Sequence, residues 1–341
     1  MSSELKTYTQ LMLPALETEM RTVLHANGTP PDALYGMMQY HMGWLDADFN
    51  PIQTNSGKRI RPLLCLLTTE AAGGSWEQAL PAAAAVELLH NFSLIHDDIE
   101  DGSETRRGRL TMWKIWGTAQ AINSGDAMFA VAHLALNNLM KRDVPAQTVV
   151  QALQRFDVTC VELTQGQHAD MDFETRDSAT VTEYINMITG KTAVLLAHCA
   201  ELGALVADQD AATITHYAAF GRNLGLAFQV IDDILGIWGD EIKIGKSAAS
   251  DIITKKKTLP VLYGLAQNQQ LQDLYLKAEP NTHFVEAVVA TLDELGARDF
   301  AIQYAKEYSA KALEHLNAAQ PQGDAGQALY ALADMLLKRD Y

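Results

Sequence analysis

Apolar residues recur at intervals of three and four along most of this chain, the spacing that lines one face of an α-helix. No proline interrupts the pattern between Pro145 and Pro260, and Val149, Leu153, Phe156 and Val161 mark one such stripe. Alternating β-branched runs bounded by turn residues, the mark of strands, are scarce. Breaks are predicted at Asn27-Gly28, Gly73-Gly74, Gly102, Gly108, Gly239-Asp240 and Pro280-Asn281, while Pro30, Pro31, Pro51 and Pro321 stand in turn-like settings. The pattern predicts ten or more helices joined by short loops, with no strong linker. That favours an all-α, single-domain helical bundle over residues 1–341 rather than several small domains.

Composition narrows the function. About 48% of the 341 residues are apolar, enough for a sizeable core, and 26 basic against 42 acidic residues give a net charge of −16. Phosphate backbones select basic surfaces, so no nucleic-acid partner is expected. Three cysteines, Cys65, Cys160 and Cys199, lie in apolar segments without a CxxC spacing, which predicts buried reduced thiols and a cytoplasmic protein. The N-terminus reads as an amphipathic segment, not a signal peptide. The longest apolar stretch, TAVLLAHCAELGALVA, is broken by His198 and Glu201 and is too short to span a bilayer, so no transmembrane segment is expected.

The chemistry gathers at two acidic pairs. Asp97 and Asp101 fall one helical turn apart with Asp98 beside them, after the apolar run FSLIH. Three carboxylates so placed repel one another unless cations neutralise them, and carboxylate clusters that retain water suit magnesium. Asp232 and Asp233 likewise end the run LAFQVI, where an acid is costly to bury without a partner. The two pairs could face each other across a bundle, and a ligand between them would be polyanionic; diphosphate fits. Cations recur nearby. Lys58 and Arg61 precede Pro62, a residue suited to the first turn of a helix, where anions are favoured. Arg106 and Arg107 lie just beyond the first cluster, Lys246 and Lys256 beyond the second, and Lys191-Thr192 follow Gly190.

Six ordered motifs then share one resemblance: GKRIRP (57–62), LLHNFSLIHDDIEDGSETRRGRLT (88–111), GQHADMDFE (166–174), YINMITGKTAVLL (184–196), FQVIDDILG (228–236) and GKSAASDIITKKKTLP (245–260). From about residue 54 to 265 the chain resembles the trans-isoprenyl diphosphate synthases, the polyprenyl synthetase family, and among them the short-chain geranylgeranyl and farnesyl enzymes. The resemblance implies the isoprenoid synthase type of helical bundle with a central cavity, a homodimer, and two or three magnesium ions. By it, Asp97, Asp101 and Asp232 are metal ligands, with Asp98 and Asp233 completing the acidic pairs. Lys58, Arg61, His90 and Arg107 would hold isopentenyl diphosphate. Arg106, Lys191, Thr192, Gln229, Lys246 and Lys256 would hold the allylic prenyl diphosphate, and Thr192 and Gln229 would also stabilise the allylic cation. Gln167 and Asp170 face the metals by family analogy alone.

The chain departs from the pattern at Gly236, where the second DDxxD motif loses its last acid. Asp232, Gly236 and Asp240 share a helical face, so Asp240 is one candidate replacement. That spacing loosely resembles class I terpene cyclases, a competing reading that has no use for the isopentenyl-binding cations. A non-catalytic regulatory subunit is a second; such relatives tend to lack the first acidic motif, which is intact here. Phe92 and Ser93 lie about one turn below Asp97, where an aromatic ring would form a floor for the growing chain or pack between helices. By the resemblance, a single aromatic at this position implies a short-chain product, C20 ahead of C15. Residues 1–44 and 270–341 carry no chemistry legible in the sequence.

Overall fold

The computed structural model describes residues 2–25, 32–52, 54, 57–239 and 249–338. Its helices are α1 (Ser3–Val23), α2 (Ala33–His41), α3 (Ile60–Ala71), α4 (Leu80–Glu100), α5 (Met112–Trp116), α6 (Thr118–Asn137), α7 (Ala146–Thr175), α8 (Val181–Ile188), α9 (Val194–Val206), α10 (Ala211–Trp238), α11 (Ser250–Ile253), α12 (Leu259–Gln267), α13 (Gln269–Lys277), α14 (Thr282–Glu294), α15 (Ala297–Ala319) and α16 (Gly323–Leu337). The one sheet among the described residues is a hairpin of two-residue strands, β1 (Thr105–Arg106) and β2 (Arg109–Leu110). The all-α expectation holds. Helices end at Gly73, Gly102 and Gly239, and Asn281 caps α14; Asn27-Gly28 and Asp240 lie outside the described residues.

The chain divides into two compact units, Met1–Asp157 with Cys199–Ile214 and Pro321–Leu329, and Val158–His198 with Thr215–Gln320 and Tyr330–Tyr341. In the first unit α4 packs on α1, α3 and α6. Ala82, Ala83, Ala84 and Ala85 are fully buried along α4, so small side chains let neighbouring helices approach on several sides. Helix α3 buries Leu63, Leu64, Leu66 and Leu67, each contributing about 1.5–3 kcal/mol of apolar transfer. The amphipathic N-terminus is α1, which turns Leu5, Met12, Leu16 and Met20 inward.

In the second unit the core joins Met187 and Ile188 of α8, Leu226, Val230, Ile231 and Ile234 of α10, Leu259 and Leu262 of α12, and Ala301 and Ala305 of α15. The apolar stripe of α7 is only partly core. Val149 and Phe156 are buried, but Val161 is 58% exposed, as is Val158. Periodicity marks a helix face without saying what covers it.

Candidate active site

Helix α4 ends in an electrostatic conflict. Asp97 and Asp98 occupy its last turn, Asp101 is its C-cap, and no basic residue sits there to offset the negative end of the helix dipole. The hairpin supplies the missing charge. Residues 107 and 108, between β1 and β2, both have positive φ (+53° and +76°), as a two-residue type I′ turn requires. This turn brings Arg106 back over α4, where its Nε donates to Asp98 Oδ1 (2.7 Å) and its Nη2 to Asp97 Oδ2 (3.1 Å). Asp98 is buried, and burial raises its pKa to about 6 against the pull of Arg106. Asp97 is partly exposed and Asp101 exposed. Thus Asp98 anchors the hairpin, while the metal-facing role suits Asp97 and Asp101.

The neighbouring residue faces elsewhere. The Arg107 guanidinium lies 3.6 Å from where a Cβ on Gly57 would stand, one residue before Lys58. Arg61, in the first turn of α3, approaches His90 of α4 with Nη1 3.3 Å from Nε2. Burial, then Arg61, Arg107 and Arg106, hold the His90 pKa well below its ordinary value, so the ring is neutral and its Nε2 accepts from Arg61. His41 at the end of α2 is held neutral by burial, then by Arg107, Arg106, Arg59 and Arg109, its pKa lowered to about 3. The N-terminal region, silent in the sequence, therefore adds a neutral imidazole to this basic pocket. Lys58, Arg61, His90 and Arg107 fall in one unit with the acidic cluster of α4.

The second unit builds its cluster on a helix defect. Thr189–Ala193 form a π-turn between α8 and α9, a feature common at functional sites. It packs against Gly166 of α7 so closely that a methyl group at 166 would collide with the Lys191 amide. The contact sets Lys191 against Asp170 (Nζ to Oδ2, 2.5 Å). Thr192 Oγ1 donates to Gln229 Oε1 (3.0 Å), and Gln229 Nε2 to Asp233 Oδ1 (3.2 Å). Asp233 also accepts from the Tyr184 hydroxyl and from the Leu259 amide at 3.3 Å. Buried, with its pKa raised to about 7 by desolvation despite these donors, Asp233 is the centre of an internal network. Asp232, its neighbour, is partly exposed. In each acidic pair, then, the second residue turns inward and the first remains accessible.

Position 236 holds the main surprise. A Cβ there would collide with Asp251 Oδ2, so the carboxylate of α11 lies beside α10 where the lost acid of DDxxD would have projected. Asp240 and Lys246 lie outside the described residues. The backbone of Asp251 also receives the Lys256 amide (2.8 Å), closing a turn in which Lys255 is left-handed. Lys255 and Lys257 spend their ammonium groups on the carbonyls of Ala278 and Phe173, whereas exposed Lys256 makes no such bond among the described residues. The triple lysine thus leaves its middle member exposed. The sequence reading passed over Arg59, Glu87, Tyr184 and Asp251. Arg59, Tyr184 and Asp251 all lie inside motifs quoted above, and that position is the one signal the sequence offers for them; Glu87 has none.

Phe92, on α4, meets another aromatic ring on α6. Its ring centroid is 5.0 Å from Phe129 on α6 and 4.9 Å from His96, and Ser93 Oγ donates to the His90 carbonyl. A 470 Å³ cavity in the second unit, lined by Gly166, Ala169, Phe173, Met187 and Arg222, has neither Asp170 nor Lys191 in its wall and is no part of this site.

Among the described residues no three Asp, Glu, His or Cys side chains form a closed metal cage. The acids on offer, Asp97 and Asp101 at the end of α4 and Asp232 within α10, are accessible hard oxygen donors that fit an ion which keeps its water and takes ligand oxygens, as magnesium does. No helix of the described residues is long and apolar enough to cross a membrane.

The sequence signature described as "Polyprenyl synthetase" matches residues 43–292. The geranylgeranyl diphosphate synthase of Mycobacterium tuberculosis is 38% identical over 335 residues, 96% of this chain and 93% of its own. A (2E,6E)-farnesyl diphosphate synthase from the same species is 44% identical over 230 residues, 67% of this chain and 63% of its own. The crystal structure of a geranylgeranyl pyrophosphate synthetase from Pyrococcus horikoshii superposes with a TM-score of 0.88 at 32% identity, covering 99% of both chains.

Proposed function

Because the chain belongs to the polyprenyl synthetase family, we propose that it condenses isopentenyl diphosphate with an allylic prenyl diphosphate, head to tail and in trans geometry, to give geranylgeranyl diphosphate. The protein is a prenyltransferase. The observation that carries the reading is an acid set against a cation inside each unit: Asp97 and Asp98 against Arg106 in one, Asp170 against Lys191 in the other. Diphosphate chemistry calls for this mixture, and a purely basic or purely acidic pocket would not serve.

Magnesium ions held by Asp97, Asp101 and Asp232 would neutralise charge on the departing diphosphate. Arg106, Lys191 and Lys256 donate to its oxygens, exchanging the carboxylate contacts that two of them make here. Lys246 belongs to the same set by resemblance. Loss of the diphosphate leaves an allylic cation. The oxygens of Thr192 and Gln229 face it as dipoles without attacking, oriented by the bond to Asp233. Apolar walls keep out the water that would trap it as an alcohol. Lys58, Arg61 and Arg107, with neutral His90, hold isopentenyl diphosphate so that its double bond attacks the cation, and the released diphosphate takes the proton.

We treat residues 1–341 as one functional domain, because the family signature draws on both units. We also read the enzyme as a cytoplasmic homodimer. Leu134 (61% exposed) and Met140 (61%) offer apolar surface a second copy would cover, and the three cysteines are buried without a disulfide.

The test is incubation with labelled isopentenyl diphosphate, magnesium and a C5, C10 or C15 primer, followed by product sizing. A C20 product is expected. A product that stops at C15 would assign the farnesyl activity, and hydrocarbon released from geranylgeranyl diphosphate alone would establish the cyclase reading instead.

A further inference from the structure

Arg59, the second residue of Lys58-Arg59-Ile60-Arg61, has no place in the binding scheme, yet its backbone and its side chain are both held in unusual settings. Arg59 is the N-cap of α3. It has neither the extended backbone nor the short polar side chain usual there; its backbone is left-handed, φ +48° and ψ +40°, and its side chain makes no capping bond. A non-glycine residue stays in that region only when its surroundings hold it. The holding group is visible. The Arg59 guanidinium is 5% exposed and its Nη1 donates to Glu87 Oε1 at 2.5 Å, the glutamate itself being 4% exposed. Glu17 Oε2 of α1 lies 4.0 Å from Nη2. Glu87 is fixed in turn by fully buried Asn91, whose Nδ2 donates to its carboxylate (2.9 Å) and to its carbonyl (2.8 Å).

Glu87 precedes His90 on α4 by one turn. The first turn of α3 is therefore fastened to α4 twice, by Arg59 to Glu87 in the core and by Arg61 to His90 nearer the surface. With Arg59 drawn inward, Lys58 remains exposed beside it. The same carboxylate supports the wider pocket: burial works against the charges of Arg61 and Arg107, and Glu87 works for both.

We propose that the buried Arg59–Glu87 pair, locked by Asn91, is the positioning element of the isopentenyl diphosphate pocket, holding residue 59 left-handed so that Lys58 and Arg61 are set for one diphosphate. This rests on the function proposed above. Neither residue touches substrate. Their effect falls on one of the two substrates, because the cations that hold the allylic diphosphate are mounted on other elements.

The experiment is steady-state kinetics with each substrate varied in turn for Glu87→Gln, which keeps shape and removes charge, and for Arg59→Lys, which keeps charge and removes the planar fork. Thermal unfolding and calorimetric titration with isopentenyl diphosphate alone run alongside. The KM for isopentenyl diphosphate is expected to rise about tenfold or more in both variants, while kcat and the allylic KM change little. The double variant should be no worse than the worse single one, since both break one contact. Equal losses for both substrates, or a lowered unfolding temperature with unchanged isopentenyl KM, would overturn the proposal and leave the pair a plain core contact. If Glu87→Gln does not fold, Arg59→Lys is read by the same ratio. Failure of the unaltered enzyme to transfer a prenyl group to any primer would instead sink the proposed function, and this inference with it.

Discussion

The carboxylate of Asp251 fills the space that a side chain on residue 236 would need. The two positions are 15 residues apart in the chain and on different helices, α11 and α10. The missing acid of the second DDxxD motif is thus matched by an acid arriving from outside the motif. Gly236→Asp, which would restore the motif on paper, is expected to lower stability by about 1–3 kcal/mol through overpacking and to lower activity as well. Chemical denaturation and prenyl transfer measured side by side check this; a Gly236→Asp enzyme as stable and active as the unaltered one would show that Asp251 does not claim the position.

The unequal burial within each acidic pair separates binding from holding. Asp97→Ala and Asp232→Ala are each expected to cut kcat about 100-fold or more, with unfolding temperatures near that of the unaltered protein. Asp233→Ala removes the acceptor of Tyr184, Gln229 and the Leu259 amide and is expected to cost about 1–3 kcal/mol of stability per donor left without a partner. Calorimetry together with single-turnover kinetics tells the two classes apart. Removing magnesium with a chelator should abolish turnover without changing the far-ultraviolet circular dichroism.

Phe92→Ala is expected to lengthen the product. The Phe129 ring lies 5.0 Å from that of Phe92, within about one helical turn, ~5.4 Å, so the single substitution should admit a limited extension and Phe92→Ala with Phe129→Ala a longer one. Chromatographic sizing of the products decides it; unchanged length in both variants would assign Phe92 to helix packing alone.

Acid should loosen the start of α8. Glu183 closes a capping box with Thr180 and takes Arg176 Nη2 at 2.7 Å. The Arg176 bond first, and the Thr180 donors next, lower its pKa from 4.5 to about 2. The folded state therefore binds this proton less readily than the unfolded one. The stability it contributes is complete above about pH 4.5 and disappears as pH falls toward 2. Denaturation between pH 2 and 5 should show that slope, and Glu183→Gln should flatten it.

Much of this was legible in one dimension. Helix periodicity survives translation into three dimensions because each side chain obeys the same 3.6-residue repeat wherever it packs. Asp97, Asp101 and Asp232 were readable because carboxylates ending an apolar run have no structural excuse. Val161 misled because periodicity cannot distinguish a core face from one left exposed, and Arg59 was passed over because a strained backbone angle leaves no trace in composition.

Sequence alone determined the helical architecture and the acid and base inventory, which depend on local spacing and charge, and, through the resemblance carried by its six ordered motifs, the class of reaction. Tertiary structure alone decided which acid of each pair turns inward, that Arg59 is spent on Glu87, and that Asp251 takes the place Gly236 leaves open. Those outcomes depend on which groups from distant parts of the chain share a buried volume, and a low-dielectric interior allows a polar group there only beside a partner.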